Sequence, residues 1–284
     1  MRQFKKIHQP VYDPIQDLIT YRVIPSPTIN YIDPFLFLNH HGPQEYPTNN
    51  GGLPFGPHPH RGMETVTFIL DGDIAHYDSS GHQSVIGPGG VQWMSAGRGL
   101  IHAEVSSEEF KKKGGPLEIL QLWVNLPAHA KMDEPFYKGL QKEDIPELAL
   151  NDNKVRVQVV SGNWNGVEGA FKSGIGVQLA LLHFETNGEL EHDIPEIENI
   201  FFYVIRGQVD VNGELVNERS LAEFSNQGQK LKIKAKKSSV ILLGHAPALN
   251  EPVVSQGPFV MNTEDEIRQA YDDYQNGKFG SWQH

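Results

Sequence analysis

Glycine and proline interrupt this chain at short intervals, which limits the length of any regular element. The 284 residues include 28 glycines and 19 prolines, a share well above the usual value of roughly 12%. The apolar runs between them are short or alternate strictly with polar residues, as in residues 65–70 and 230–237. The pattern therefore predicts an all-β protein built from many short strands.

One helix is expected near the C-terminus. Thr263 and Glu266 have the spacing of a capping box, and apolar residues follow at helical spacing from Ile267 to Tyr274. Residues 276–277 read Asn-Gly, a common stop signal. We expect this helix to pack on the outside of a sheet.

A strand–turn–strand pattern occurs twice. Residues 68–74 (FILDGDI) resemble residues 203–209 (YVIRGQV), 135 positions later. A pattern that returns after about half the chain predicts two stacked β-barrels or sandwiches. The polar stretch 142–154 suits a boundary, so we expect an N-terminal domain over residues 1–140 and a C-terminal domain over residues 141–284.

The composition excludes several function classes. The chain has no cysteine, which removes disulfides, thiolate metal sites and cysteine nucleophiles. Its net charge of −11 opposes general nucleic-acid binding, which requires clustered Lys and Arg. No apolar run is long enough to span a membrane, and the N-terminus has no signal-peptide pattern. We therefore expect a soluble cytoplasmic protein. Without cysteine, its 13 histidines and its carboxylates are the only strong ligands left for a transition metal.

Two short segments combine into a candidate metal site. His58 and His60 stand at i and i+2, as do His102 and Glu104, and residues so spaced on a strand share one face. If the two strands are neighbours, three imidazoles and one carboxylate converge inside the first barrel. This donor set suits Fe(II), Mn, Ni, Cu or Zn. Four other histidines, at positions 40, 41, 76 and 82, are expected at the surface or at a pocket rim.

The same segments resemble the cupin signature, G(X)5HXH(X)3E, with Gly52, His58, His60 and Glu64 at the matching positions. Several longer stretches are similar to one cupin family, the pirins. They are HPHRGMETVTFILDG (58–72), MSAGRGLIHAEVSSEEF (94–110), EILQLWVNLP (118–127) and GPFVMNTEDEIRQAYDDYQNGKFG (257–280).

This resemblance implies a bicupin, with two antiparallel β-barrels or jelly rolls packed face to face and a short C-terminal helix. It also implies that only the first barrel holds a metal, usually iron, through His58, His60, His102 and Glu104. With a uniform offset of 135, Lys237 stands at the position of His102, so we expect a second copy without metal. His192 lies one position before the residue that this offset aligns with His58. We expect a monomer, because two fused barrels reduce the need of a single cupin to dimerise.

Several pirins are similar in activity to quercetin 2,3-dioxygenase, which opens a flavonol ring with O2 and releases CO. In that interpretation Glu104 is the general base. Glu64 either orients the metal ligands without binding the metal or is a ligand itself. Two alternatives stay open. One is an iron-dependent redox regulator that binds a protein partner, for which the lysine face of residues 230–237 is a candidate surface. The other is a non-redox metal cupin such as a sugar isomerase.

Overall fold

The structure is a computed structural model that describes residues 1–282. Strands dominate this range and confirm the all-β prediction. In the first part of the chain they are β1 (Phe4–His8), β2 (Val11–Tyr12), β3 (Thr20–Ile24), β4 (Phe35–Tyr46), β5 (Phe55–His60), β6 (Met63–Asp71), β7 (Ile74–Asp78), β8 (Gln83–Ile86), β9 (Val91–Ser95), β10 (Leu100–Val105), β11 (Gly115–Asn125), β12 (Phe136–Leu140) and β13 (Glu147–Leu150).

The second part of the chain repeats this succession of short strands. They are β14 (Val155–Ser161), β15 (Asn163–Trp164), β16 (Val167–Glu168), β17 (Gln178–Phe184), β18 (Glu189–Asp193), β19 (Glu198–Arg206), β20 (Gln208–Val211), β21 (Glu214–Asn217), β22 (Ser220–Phe224), β23 (Lys230–Ala235), β24 (Ser239–Pro247), β25 (Val254–Gln256) and β26 (Phe259–Met261). The α-helices among residues 1–282 are α1 (Glu108–Lys113) and α2 (Glu264–Gln275), and single 3-10 turns occupy Ala128–Ala130 and Lys142–Asp144.

The four large antiparallel sheets form two similar pairs, each with one seven-stranded and one four-stranded sheet. The first pair has the orders β12-β9-β6-β11-β4-β3-β2 and β5-β10-β7-β8. The second pair has the orders β1-β22-β19-β24-β17-β14-β13 and β18-β23-β20-β21. The internal repeat in the sequence therefore corresponds to a repeat of sheet topology.

The chain divides into two compact units whose limits differ from a single boundary near residue 140. The first unit comprises Tyr12–Arg22, Phe35–Lys142 and the chain from Leu249 onward, and the second comprises Met1–Val11, Val23–Pro34 and Glu143–Ala248. Strand β1 pairs with β22 in the second unit, and α2 packs on β25 and β26 in the first. These pairings join segments that are far apart in sequence. A single boundary in the chain therefore does not separate the two units.

One of the two α-helices was expected from the sequence and the other was not. Helix α2 begins after Thr263, whose side chain accepts the Glu266 N–H while the Glu266 carboxylate accepts the Thr263 N–H. This confirms the capping box. Helix α1 has no counterpart among the elements expected from the sequence. Ser107 caps it by accepting the N–H of Phe110, which is buried.

The second unit has a continuous apolar core. On β23, Leu231, Ile233 and Ala235 are buried and the intervening lysines point outward, as the alternation predicted. No helix among residues 1–282 is long and apolar enough to cross a membrane. The cytoplasmic location stays a prediction.

Candidate metal centre

Strands β5 and β10 bring three histidines together in the first unit. His58 lies opposite His102 in the antiparallel register, and His60 lies opposite Leu100. The ring centroids of His58 and His102 are 4.4 Å apart, and that of His60 lies 4.9 Å from His58 and 5.0 Å from His102. One ring nitrogen from each histidine falls within 4.8 Å of the others. A group with this spacing can hold one metal ion.

A bulge in β5 sets the direction of these side chains. The register moves from His102 opposite His58 to Glu104 opposite Phe55, so two residues of β5 face one residue of β10. The extra residue falls at Gly56 and Pro57. Proline cannot donate a ladder hydrogen bond and glycine accepts unusual backbone angles, so this pair favours a bulge.

Backbone carbonyls orient two of the three rings. His58 Nδ1 lies 2.7 Å from the Gly56 carbonyl oxygen, and His60 Nδ1 lies 3.1 Å from that of Pro258. Each Nδ1 donates its hydrogen, which leaves the Nε2 lone pair for a ligand. Within the described chain, the buried Nε2 of His60 and both ring nitrogens of His102 have no hydrogen-bond partner. Unpartnered nitrogens that face one another fit a bound cation.

Burial keeps the imidazoles of His60 and His102 neutral. It lowers the pKa of His60 to about 3, with a further contribution from the neighbouring His58, and the Pro258 carbonyl opposes the shift. The pKa of His102 is lowered well below its usual value by burial and by the surrounding histidines. Neutral imidazole is the form that binds a metal, so no proton has to be displaced from His60 or His102 near pH 7.

Glu104 is buried two residues beyond His102, but its oxygens do not belong to the 4.8 Å group. Three neutral donors hold it. Thr67 Oγ1 donates to Oε1 at 3.0 Å, Gln92 Nε2 donates to the same oxygen, and Gln121 Nε2 donates to Oε2 at 2.5 Å. The structure thus brings Glu104 to the centre as an anchored carboxylate, and its role as a ligand stays a prediction.

The three donors form one row across the sheet, because Thr67 of β6 lies opposite Gln92 on β9 and Gln121 on β11. The sequence interpretation missed this row. The available signal was a polar residue on the inward face of each of three largely apolar strands, and Gln121 interrupts the apolar run of β11.

Glu64 lies on the opposite face of β6 from Thr67, because it is three residues away on a regular strand. Its carboxyl group bonds to Trp93 and Ser95, and no hydrogen bond joins it to the three histidines within residues 1–282. Burial raises the pKa of Glu64 to about 7, and the bonds to Trp93 and Ser95 limit the rise. The structure gives no support for Glu64 as a partner of the ligands.

The expectation for His76 was wrong, since this residue is fully buried beside the centre. Its ring stacks on Tyr137, with centroids 3.8 Å apart, and lies 5.5 Å from the His102 ring. His76 Nε2 is 3.1 Å from Asp78 Oδ2. His76 is buried because β7 pairs directly with β10. His40 and His41 are also buried, whereas His82 is half-exposed as predicted.

The lysine face of β23 is paired rather than free. Lys230 and Lys232 form ion pairs with Glu191, and Lys234 forms one with Glu189, at N–O distances of 3.1, 3.5 and 2.6 Å. Both glutamates lie on the neighbouring strand β18. Paired charges attract an acidic partner less than free ones, so the structure does not favour this face as a docking surface.

Two antiparallel cupin folds in one chain define the bicupin class. The pirin family model matches residues 17–124, and the model of the pirin C-terminal cupin domain matches residues 179–280. A Pseudomonas aeruginosa protein, whose name gives quercetin 2,3-dioxygenase as a provisional activity, is 36% identical over 94% of this chain and 92% of its own length. A pirin-like protein of Solanum lycopersicum is 37% identical over 92% and 87%. The chain therefore belongs to the pirin family.

Solved structures agree with this assignment. A quercetin 2,3-dioxygenase from Acinetobacter baumannii has a TM-score of 0.91 and 34% identity, and the match covers 99% of both chains. The Escherichia coli pirin YhhW, solved in complex with nickel(II), has a TM-score of 0.68 over 86% of this chain and 99% of its own. At 21% identity it supports the fold alone.

Proposed function

We propose that this protein is an Fe(II)-dependent dioxygenase that opens the ring of a flavonol-like substrate with O2 and releases CO. The observation that carries the proposal is the group of three histidine nitrogens within 4.8 Å of one another, with the buried Glu104 on the same strand as His102. The similarity to the Acinetobacter baumannii quercetin 2,3-dioxygenase supports the substrate class.

In this proposal His58, His60 and His102 hold the ion. A bound Fe(II) supplies Lewis acidity at the substrate hydroxyl and electron transfer toward O2. Glu104 accepts the proton of the flavonol hydroxyl, and Thr67, Gln92 and Gln121 hold its carboxylate in place beforehand. Both atoms of O2 enter the ring-opened product, and one ring carbon leaves as CO.

The deciding experiment compares wild type with Glu104→Gln, each reconstituted anaerobically with Fe(II) and then mixed with quercetin in air. Metal content, loss of the quercetin absorbance, O2 uptake and CO release are measured. We expect Glu104→Gln to retain its iron and to lose turnover by about 10²-fold or more, as removal of a general base does. Glu109→Gln on exposed α1 is the matched control.

The outcomes separate the alternatives. If the wild type consumes no O2 with quercetin, the dioxygenase proposal is wrong, and a redox regulator or a non-redox cupin takes its place. If Glu104→Gln turns over like wild type, Glu104 is not the base. If Glu104→Gln cannot hold iron, the carboxylate is a ligand. Reconstitution with Mn, Ni, Cu or Zn tests the other metals that accept imidazole ligands.

A further inference from the structure

The second unit contains its own pair of facing imidazoles. His192 Nε2 on β18 lies 3.2 Å from His245 Nε2 on β24, and His245 Nδ1 is hydrogen-bonded to the Glu198 carboxylate. From this geometry we propose that His192 and His245 form a second transition-metal site, independent of the three-histidine centre. It would take a divalent ion that prefers imidazole, such as Cu(II), Ni(II) or Zn(II).

The separation of the two nitrogens fits a shared ion. Imidazole nitrogens bind such metals at about 2.0–2.1 Å, so two of them on one tetrahedral ion lie about 3.3 Å apart. The observed separation of 3.2 Å is close to this value. The same distance also suits a hydrogen bond, which is the competing interpretation that the experiment has to exclude.

The surroundings fix both rings in the orientation that a ligand needs. His245 donates its Nδ1 hydrogen to Glu198. The tautomer with its hydrogen at Nδ1 has its lone pair at Nε2, and such a carboxylate–histidine pair commonly supports metal ligands. His192 stacks on Trp164, with ring centroids 4.0 Å apart and an angle of 3° between the planes.

The sheet register explains why an alignment by a constant offset did not find the pair. His192 lies opposite Leu231 across β18 and β23, in the way that His58 lies opposite His102 across β5 and β10. The uniform offset of 135 instead placed Lys237 at the His102 position, because the loop lengths of the two units differ. The second imidazole, His245, comes from a strand of the seven-stranded sheet.

The pair lies at the end of an apolar barrel core. Leu190 and Ile194, two residues on either side of His192, belong to the buried cluster of the second unit, as does Leu243, two residues before His245. His245 is itself buried, whereas His192 is partly exposed. In this proposal, water from the partly exposed side of His192 would supply the remaining ligands. Two protein ligands predict weaker binding than at the three-histidine centre.

The test uses Cu(II) alone as the probe. In a double variant, His58→Ala with His102→Ala, which removes the first centre, we expect one bound Cu(II) whose electron paramagnetic resonance spectrum shows coupling to two nitrogens. Adding His192→Gln should weaken that binding by about tenfold or more and remove the two-nitrogen coupling. His129→Gln, at a turn in the first unit, is the matched control.

A second measurement leaves every histidine in place and does not depend on the folding of the ligand variants. Cu(II) quenches a nearby indole, and Trp164 stacks directly on His192. We expect the fluorescence loss at the second equivalent of Cu(II) to disappear in Trp164→Phe. The proposal is overturned if wild type takes up one equivalent only. It is also overturned if Cu(II) binding is equal with and without His192, which would indicate an adventitious ion only.

Discussion

The carbonyl oxygen of Pro258 accepts a hydrogen bond from Nδ1 of His60 at 3.1 Å, across 198 residues of chain. The neighbouring backbone strengthens this link, since the Val260 N–H donates to the Arg61 carbonyl oxygen at 3.1 Å. Arg61 also pairs with Asp273 of α2, with Nη1 and Oδ2 2.8 Å apart. The C-terminal segment thus helps to orient a proposed metal ligand.

Because of this link, a substitution at Gly62 should affect both folding stability and metal binding. Its φ is +80°, and an added Cβ would lie 2.1 Å from the Val260 carbonyl oxygen. We expect Gly62→Ala to lower the free energy of unfolding by about 3 kcal/mol or more and to weaken metal binding, because the segment beside His60 must move. Urea unfolding and metal titration measure the two effects.

Gly81→Ala is the matched control for that experiment. Gly81 also has a positive φ, +89°, but no atom lies within 4 Å of its added Cβ. Only backbone strain of about 1 kcal/mol is expected there, with metal binding unchanged. If both variants lose the same free energy of unfolding and the same metal affinity, the contact with Val260 does not cause the effect of Gly62→Ala.

Thr67 tests the anchoring of Glu104. Thr67→Val keeps the shape of the side chain but removes the hydroxyl that donates to Oε1. We expect kcat/KM for quercetin to fall by about tenfold, the equivalent of about 1.4 kcal/mol, with iron content unchanged. Thr65→Val is the control on the same face of β6, since no hydrogen bond joins Thr65 to Glu104. A similar decrease in both variants would contradict the anchoring role.

Glu64 should make stability depend on pH. Its pKa is about 7 in the folded protein, against an ordinary value of 4.5, so the folded state holds the proton more tightly than the unfolded state. Stability is therefore lost as pH rises from 4.5 to 7, by up to about 3 kcal/mol. Thermal unfolding of wild type and Glu64→Gln from pH 5 to 8 measures this slope. If both slopes are equal, Glu64 is not its source.

Metal binding should stabilise the first unit. A ligand present at 100 times its Kd adds about 2.7 kcal/mol to the free energy of unfolding, because it binds the folded chain only. We expect Fe(II) to raise the melting temperature of wild type and a chelator to reverse the rise. His102→Ala should lose most of this response. A full response in His102→Ala would place the bound iron elsewhere.

The sequence by itself determined the strand-rich fold, the capped C-terminal helix and the shared strand face of His58 and His60. Each of these depends on local spacing. Residues at i and i+2 share a face of any strand, glycine and proline break elements wherever they stand, and Thr263 and Glu266 bond within one turn. Such signals need no knowledge of distant partners.

Only the tertiary structure decided which segments surround these residues. The row of Gln92, Thr67 and Gln121 exists because three strands align in register, and the buried position of His76 follows from the pairing of β7 with β10. The facing pair of His192 and His245 depends on two different sheets. Sheet register and loop length arise from the packing of the whole chain, so no local pattern encodes them.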